Sequence, residues 1–282
     1  MTATVIQGRE VADQVLDEVA ARVRERLESG RGRPHLAVVL VGHNPASETY
    51  VRGKRQDAER VGIASSDHRL PDTATTAEVL ELVRSLNADP DLSGVLVQQP
   101  LPPQVEVPAV VAAIDPARDV DGFHPVNAGR LLLGQPGLRP CTPAGVLRML
   151  DHAGIELAGR RAVVVGRSNI VGKPVALLLL ERNATVTVCH TRTRDLAERI
   201  REAEVLVVAM GRPHFVKPDM VRPGAVVVDV GVTPVEGKLK GDVDPAVAEV
   251  AGWITPVPGG VGLMTRAMLM ANTLAAEEAR RP

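Results

Sequence analysis

The apolar residues of the first 115 positions follow two alternating patterns. Up to position 27 they recur every fourth residue from Val11 onward, which predicts an amphipathic helix ended by Gly30. Unbroken aliphatic runs follow, and such runs are typical of strands buried in a parallel sheet. The patterns predict strands at 36–41 and 94–97, and helices at 47–61, 75–86 and 105–114. This alternation favours a parallel α/β sheet.

A second alternating series follows a turn-rich connection at 115–140. Thr142 and Pro143 have the residue types of a helix N-cap and a first helical position. Beyond them the pattern predicts strands at 162–165, 185–189, 205–209 and 225–230, helices at 174–182 and 194–202, a hairpin at 232–243, and a closing helix at 264–278. The sequence therefore predicts two domains. One is an N-terminal α/β domain at 1–118, completed by the C-terminal helix at 264–282, and the other is a Rossmann-like domain with a parallel sheet at 140–263.

Composition and charge exclude several classes of protein. Of the 282 residues, 45% are hydrophobic, but only one Trp, one Tyr and two Phe occur, so we expect an aliphatic core. A net charge of −1 and the shortage of aromatic residues argue against nucleic-acid binding. Two cysteines are too few for a disulfide framework, which favours a reducing, cytoplasmic setting. No apolar run has membrane-spanning length, and the first ten residues do not have the pattern of a secretory signal. We therefore expect neither a membrane span nor a signal.

A glycine-rich turn after the strand at 162–165 indicates a dinucleotide site. Gly166 at the strand end allows close approach of a diphosphate, whose charge suits the start of the following helix. The usual Gly-x-Gly-x-x-Gly spacing is not met, because the middle glycine is missing and Gly172 comes one residue late. An ordinary turn without a ligand therefore stays an alternative.

The end of the next strand favours NADP over NAD. Folds that prefer NAD place an Asp or Glu there, whereas this chain has hydroxyls and arginines, and Arg167 lies in the preceding turn. Thr191 and Arg192 could hold a 2′-phosphate. The alternative, a solvated basic helix start, is disfavoured because cations are unfavourable at a helix N-terminus.

Four polar residues are candidates for proton chemistry. Tyr50 and Lys54 are four apart on a predicted helix and share a face, although such a pair is often only a surface feature. Gln98 follows a buried strand, at the edge where α/β sheets bind ligands, and Asp121 lies in the turn-rich connection. Together these groups could bind a polar heterocycle and move a proton. Asp119 and Asp121 suggest turn stabilisation rather than a metal, and no metal is predicted.

Six ordered segments of the chain resemble the bifunctional methylenetetrahydrofolate dehydrogenase/cyclohydrolase family. They are 41–47 leading to Tyr50-Val51-Arg52-Gly53-Lys54, Gly94-Val95-Leu96-Val97-Gln98-Gln99-Pro100-Leu101-Pro102, Asp119-Val120-Asp121-Gly122-Phe123, Pro140-Cys141-Thr142-Pro143, the turn at 165–174, and Pro258-Gly259-Gly260-Val261-Gly262. The resemblance covers essentially the whole chain and is more specific than any one motif.

The resemblance implies two domains with a cleft between them, in a homodimer formed through the dinucleotide domain. It also implies two reactions: NADP-dependent oxidation of 5,10-methylenetetrahydrofolate to 5,10-methenyltetrahydrofolate, then hydrolysis to 10-formyltetrahydrofolate. By motif, Lys54 is the catalytic lysine, Tyr50 contacts the folate, Gln98 orients the lysine and Asp121 holds the pterin. The remaining implied contacts are Pro258, Gly259 and Gly260 with the substrate, and Gly166, Arg167, Ser168, Thr191 and Val232 with the cofactor.

Two positions depart from the family pattern. Gln99 stands where Leu is usual, and Leu263 stands where Pro is usual, so the departures bear on pocket shape and substrate affinity more than on reaction type. A short-chain dehydrogenase is a rival interpretation, but there the Tyr-x-x-x-Lys pair follows the dinucleotide turn, whereas here it precedes the turn. A monofunctional dehydrogenase and a non-enzymatic NADP-binding protein are the other rivals. Lys54 and Gln98 argue against the first, and Lys54 argues against the second.

Overall fold

The computed structural model describes residues 2–281, which form two compact units. One, here called the N-terminal unit, contains Asp13–Cys141 and the chain from Arg266 onward. The other, here called the central unit, contains the chain up to Ala12 together with Thr142–Thr265. None of the helices in residues 2–281 is long and apolar enough to cross a membrane.

The strands and helices alternate along most of the chain. In chain order the strands are β1 (Thr4–Val5), β2 (His35–Val41), β3 (Ala64–Leu70), β4 (Gly94–Val97), β5 (Arg161–Val165), β6 (Thr185–Cys189), β7 (Val205–Val208), β8 (Val226–Asp229), β9 (Thr233–Val235), β10 (Lys238–Lys240) and β11 (Trp253–Ile254). The α-helices are α1 (Gly8–Glu28), α2 (Pro45–Val61), α3 (Thr76–Ala88), α4 (Val107–Ala113), α5 (Pro125–Leu132), α6 (Cys141–His152), α7 (Gly172–Glu181), α8 (Leu196–Arg201) and α9 (Val261–Arg280). Short 3₁₀ helices lie at Pro218–Met220 and Pro245–Glu249.

The N-terminal unit is built on a parallel sheet in the order β3-β2-β4. Strands β2 and β4 are buried along almost their whole length, which explains their continuous aliphatic sequence. Strand β3 did not follow from the sequence because it is an edge strand with a polar sequence, Ala-Ser-Ser-Asp-His-Arg-Leu, and it has no aliphatic run. The carboxyl ends of β2 and β4 lie at the same edge of this sheet, and that edge carries Gln98.

Helix α5 occupies part of the segment that the sequence predicted to be a loop, so that prediction was wrong. His124 precedes the helix, and its Nδ1 accepts a hydrogen bond of 3.0 Å from the backbone N–H of Val126. Pro125 occupies the first turn, where its missing N–H breaks no helical hydrogen bond. The His-Pro pair therefore starts a helix here instead of forming a turn.

The central unit contains a parallel sheet in the order β1-β11-β8-β7-β5-β6 within the described residues. Its inner strands β7 and β8 are buried throughout, and the core around them is almost entirely Val, Leu, Ile and Ala, as expected from the low aromatic content. Strand β6 forms one edge, and the short strands β11 and β1, which the sequence did not predict, form the other. The predicted α/β fold with a parallel sheet is confirmed.

Two local features refine the sequence interpretation of this unit. Strands β9 and β10 form the expected antiparallel hairpin, and Glu236 (φ 51°) and Gly237 (φ 76°) supply the positive φ angles that a tight hairpin turn requires. Helix α6 begins at Cys141, so Thr142 is not its N-cap. Pro143 still lies in the first turn, where proline is tolerated.

Candidate active site

Lys54 lies almost completely buried on α2. Its side chain is 7% exposed, and its Nζ donates a hydrogen bond of 2.9 Å to the Oε1 of Gln98. Tyr50 lies one turn earlier on the same face of α2 and is 45% exposed. The structure therefore brings Lys54 and Gln98 into direct contact and leaves the Tyr50 ring accessible nearby.

The backbone at the end of β4 sets the orientation of Gln98. The backbone N–H of Gln98 donates to the carbonyl oxygen of Val39 on β2 at 2.9 Å. Its side-chain Nε2 donates to the carbonyl oxygen of Gln99 at 2.6 Å. Because the amide nitrogen is used in this way, the amide oxygen is the atom that faces Lys54.

Burial moves the lysine and its neighbouring acid towards their neutral forms. Desolvation lowers the pKa of Lys54, and the negative charge of Asp121 opposes that change. Desolvation also raises the pKa of Asp121 to about 6, against the opposing charge of Lys54. Because burial moves the two pKa values towards each other, transfer of a proton between the amine and the carboxyl becomes less costly.

Cys141 belongs to the same buried group, and sequence reasoning did not assign it a role. Its Sγ donates to the carbonyl oxygen of Val120 at 3.2 Å, and Asn272 donates to that same carbonyl at 2.8 Å. Burial raises the pKa of the Cys141 thiol, and the negative charge of Asp121 raises it further. The thiol is therefore neutral and acts as a hydrogen-bond donor that supports the Asp121 turn.

Asp119 stabilises this turn through hydrogen bonds from the residues that follow it. It is 1% exposed, and its Oδ2 accepts from the backbone N–H of His124 at 2.7 Å and from Nδ2 of Asn127 at 3.0 Å. Gly122 has a φ of 76°, and a Cβ there would lie 2.5 Å from the backbone of Arg139. The side chains of residues 2–281 form no group of three or more His, Cys, Asp or Glu that could hold a metal ion.

An apolar cavity lies beside the Asp121 turn, at the carboxyl end of β4. It is lined by Val95, Val97, Gln99, Leu101, Val107, Val110, Val111, Ile114, Asp119, Asp121 and Phe123. Gln99, which departs from the family pattern, is therefore one of its few polar lining residues. The accessible space in this cavity is about 10 Å³, so in this conformation it has room for a single water rather than for a ring.

In the central unit, two glycines shape the turn between β5 and α7. Gly166 has a φ of 132°, and a Cβ there would lie 2.2 Å from the carbonyl oxygen of Ala209. A Cβ on Gly172 would lie 2.3 Å from the carbonyl oxygen of Gly166. Between them, the Ser168 Oγ accepts from the backbone N–H of Val171 at 3.1 Å and of Gly172 at 3.3 Å. The hydroxyl accepts hydrogen bonds from backbone N–H groups that have no partner within α7. The longer glycine spacing therefore still produces a tight turn.

This turn opens onto a cavity of about 430 Å³. Its lining residues are Val165, Gly166, Arg167, His190, Thr191, Thr193, Leu196, Ala209, Met210, Arg212 and Phe215. Of the predicted cofactor residues, Gly166, Arg167 and Thr191 are among them, whereas Ser168 and Val232 are not, and Val232 is 39% exposed. Arg192, which the sequence also suggested, is an exposed residue outside this lining.

Sequence reasoning missed the wall of this cavity that follows β7. The Arg212 guanidinium lies 4.8 Å from the centroid of the Phe215 ring, in a cation–π contact. The backbone N–H groups of Met210 and Gly211 donate to the buried Asp242 carboxylate at 2.7 and 2.9 Å. The carboxyl ends of parallel strands lie at one edge of the sheet, where ligands bind. The residues that follow β7 could therefore have been predicted to line this cavity.

The lining of this cavity fits a phosphorylated dinucleotide. Arg167 and Arg212 supply positive charge, Thr191 and Thr193 supply hydroxyls, and the lining contains no carboxylate. Gly166 leaves room for a diphosphate to approach the backbone. A carboxylate that would favour the unphosphorylated ribose of NAD is therefore missing from these lining residues.

The Pro258–Gly260 turn is also tightly packed in the central unit. Gly259 has a φ of 100°, and a Cβ on Gly260 would lie 2.4 Å from the carbonyl oxygen of Pro256. A Cβ on Gly8 would lie 2.2 Å from the carbonyl oxygen of Gly260. These glycines are required by close backbone contacts, which is a structural reason for the motif beside any contact with a ligand.

Fold and sites together define a dinucleotide-dependent α/β enzyme with a separate, buried lysine that is hydrogen-bonded to a glutamine. Two family models match the chain: the catalytic domain of tetrahydrofolate dehydrogenase/cyclohydrolase over residues 6–121 and the NAD(P)-binding domain of the same family over residues 140–281. The chain belongs to the tetrahydrofolate dehydrogenase/cyclohydrolase family. The resemblance identified from the six sequence motifs is confirmed.

Relatives match along the full length of the chain. A bifunctional protein FolD of Thermus thermophilus is 54% identical over 281 residues, which cover 100% of this chain and 98% of that protein. The crystal structure of the bifunctional FolD enzyme from Campylobacter jejuni is 43% identical, with a TM-score of 0.96 and 99% coverage of both chains. The FolD structure from Trypanosoma brucei, complexed with NADP cofactor and inhibitor, is 37% identical, with a TM-score of 0.94 and 99% coverage of both chains.

Proposed function

We propose that this chain is a bifunctional enzyme of folate one-carbon metabolism. It oxidises 5,10-methylenetetrahydrofolate to 5,10-methenyltetrahydrofolate with NADP+, and then hydrolyses that product to 10-formyltetrahydrofolate. The observation that carries the proposal is the buried Lys54, hydrogen-bonded to Gln98, in a chain whose full-length relatives are bifunctional enzymes.

The oxidation step depends mainly on positioning. NADP+ supplies the hydride acceptor, and the cation left on the methylene carbon is stabilised by the two nitrogens beside it. No side chain needs to take a proton in this step. The role of the central unit is to hold the cofactor through Arg167, Thr191 and the backbone at Gly166.

The hydrolysis step requires proton transfer. The oxygen of water bonds to the methenyl carbon, and the bond from that carbon to one of its two nitrogens breaks. That nitrogen takes up one proton, and the other proton of the water is released. Lys54 in its neutral form takes the proton from the attacking water, because burial lowers its pKa. Gln98 holds the amine in position, and Asp121, whose pKa burial raises to about 6, holds the pterin.

Substrate contacts are assigned on exposure and motif. The accessible Tyr50 ring contacts the folate, and Asp121 binds the polar edge of the pterin, an assignment that rests on its motif. Pro258, Gly259 and Gly260 supply a backbone wall, an assignment that rests on the motif. Ser168 and Val232 are retained as cofactor contacts on the same basis, since neither lines the cavity at Gly166.

We further propose a cytoplasmic homodimer formed through the central unit. Leu239 lies on the β9–β10 hairpin and is 44% exposed, and Val232 lies just before the hairpin and is 39% exposed. A second subunit that covers them would remove apolar surface from water. Cys141 and Cys189 are free and buried in the described part of the chain, which fits a reducing compartment.

A direct assay tests the proposed reactions. The purified protein is incubated with 5,10-methylenetetrahydrofolate and NADP+, and NADPH and methenyl absorbance are followed together. Hydrolysis is measured separately with methenyltetrahydrofolate after subtraction of the enzyme-free rate. NADPH formation and enzyme-dependent loss of the methenyl compound are both expected. A protein that performs the first reaction alone is a monofunctional dehydrogenase, and one that performs neither is a binding protein.

A further inference from the structure

Arg266 of α9 forms a two-point ion pair with Asp57 of α2. The Nε of Arg266 donates to one carboxylate oxygen at 2.6 Å, and its Nη2 donates to the other at 2.8 Å. Asp57 is 8% exposed, so the pair is largely shielded from water. Such a fork-shaped contact holds the guanidinium in one place and orientation.

The guanidinium lies against α2 at the turn that carries the catalytic lysine. Asp57 follows Lys54 by three residues and Tyr50 by seven, so all three share one face of the helix. A Cβ on Gly53 would lie 2.6 Å from the Nη1 of Arg266. The third nitrogen of the guanidinium is therefore directed at the helix backbone beside Lys54, and Gly53 is the residue that makes room for it.

A fixed cation at this place acts against a second cation on Lys54. The groups whose charge changes the pKa of Lys54 are Asp121 from the 119–123 turn, Cys141 from the start of α6, and Arg266 from α9. Asp57, which is paired with Arg266, and Tyr50 share its face of α2, and Gln98 is neutral. Asp121 favours the ammonium form, and Arg266 disfavours it. Arginine does not lose its proton in proteins, so its charge persists when Lys54 titrates.

We propose that Arg266, held by Asp57 over Gly53, is a positioning residue that keeps the Lys54 turn of α2 in place and disfavours a second positive charge beside it. The inference rests on the proposed role of Lys54 in hydrolysis. It explains why an arginine occupies this position of α9, although Arg266 itself does not touch the lysine amine through any hydrogen bond.

The first test is the pH profile of hydrolysis in Arg266→Met. The rate rises with pH as Lys54 loses its proton, and removal of the Arg266 charge raises the pKa of Lys54. The rising limb therefore moves to higher pH, which lowers kcat at pH 7. KM for methenyltetrahydrofolate changes less than kcat. Arg266→Lys retains the charge and is expected to keep a profile close to that of the wild type.

Gly53→Ala gives an independent test that does not rely on losing the arginine. The new methyl group would lie 2.6 Å from the Arg266 Nη1, so the guanidinium must move away. Because alanine favours helices over glycine by about 1 kcal/mol, the helix itself is not weakened. A shift of the pH profile in the same direction as in Arg266→Met is expected, and the gain in helix propensity offsets part of the Tm lost with the ion pair.

Arg60→Met is the matched control. Arg60 also lies on α2 and pairs with Asp13 and Asp17, but it is 42% exposed and lies outside the lysine group. Its hydrolysis profile is expected to equal that of the wild type. A wild-type profile in folded Arg266→Met and Gly53→Ala would overturn the inference. Equal losses in Arg266→Met and Arg266→Lys without any shift would also overturn it, because they would indicate a purely structural role.

Lys54→Met, measured in parallel, separates this inference from the proposed function. If Lys54→Met hydrolyses methenyltetrahydrofolate at the wild-type rate, the role of Lys54 is wrong and the inference fails with it. If Lys54→Met is inactive in hydrolysis while the Arg266 variants keep the wild-type profile, the proposed function stands and only the inference about Arg266 fails.

Discussion

Lys54 and Gln98 are joined by a hydrogen bond of 2.9 Å, although they lie 44 residues apart in the chain. The bond links α2 to the carboxyl end of β4, where open α/β sheets bind their ligands. The carbonyl oxygen of Gln99 holds the other end of the glutamine amide. The end of the buried strand β4 therefore orients the Lys54 amine, which we propose as the group that transfers the proton.

Lys54→Met is expected to separate the two reactions. Methionine keeps an apolar stem of similar length but cannot accept a proton. Since general acid–base assistance is typically worth about 10²–10⁴-fold, hydrolysis should fall by roughly a hundredfold or more. Part of the dehydrogenase activity should survive, because hydride transfer needs no side-chain proton. Loss of both activities in a folded variant would indicate a role in substrate binding instead.

Gln98→Glu is expected to slow hydrolysis at neutral pH. A carboxylate in place of the amide would lie within hydrogen-bond distance of the Lys54 amine and would stabilise its charged form. The pKa of Lys54 should rise, and the rising limb of the hydrolysis profile should move to higher pH. Circular dichroism of the variant checks the fold. A profile that moves to lower pH would contradict the assignment of Lys54 as the base.

NADP+ is expected to be preferred over NAD+ by about tenfold or more in kcat/KM, which corresponds to about 1.4 kcal/mol. Arg167→Ala should reduce the preference mainly through a higher KM for NADP+, because Arg167 lines the cavity. Arg192→Ala is the comparison variant, since Arg192 is exposed and outside that lining, and it should have a smaller effect. Equal efficiencies with both cofactors in the wild type would refute the prediction.

The stability of the wild type, compared with that of Asp121→Asn, should fall as the pH rises from about 4 to about 6. In the unfolded chain an aspartate titrates near 3.9, whereas burial raises the pKa of Asp121 to about 6 in the folded protein. The folded state therefore binds more protons in this window, and stability falls as the pH rises. The measurement is the difference in Tm between the two proteins at pH 4.5 and pH 7. A difference that is independent of pH would count against the shifted pKa.

The hairpin should mediate dimer formation. Leu239→Lys places a charge on an apolar side chain that is 44% exposed in the single chain, and it should shift the protein to monomers in light scattering at micromolar concentration. Lys238→Gln, on the same strand, changes a polar residue and should leave the dimer intact. A wild-type protein that is already monomeric at that concentration would exclude the proposed interface.

Much of the fold could be predicted from local patterns. The strands at 94–97 and 185–189 have the predicted bounds, because aliphatic runs bounded by turn residues have few other stable arrangements. Strand β3 and helix α5 could not be predicted in this way. The polar sequence of β3 suits an exposed sheet edge, and α5 depends on the His124 side chain as its cap.

The candidate site likewise has features that the sequence predicted and features that only the structure showed. The sequence by itself determined the α/β class through its alternating hydrophobic pattern. It determined the family and the residue types proposed for proton transfer and cofactor binding through short, ordered motifs. Only the tertiary structure decided which groups meet: Cys141 behind Asp121, Arg212 over Phe215, and Arg266 paired with Asp57 across 209 residues. Such contacts join elements far apart in the chain. Their energies depend on burial and geometry, which leave no periodic signal in a single sequence.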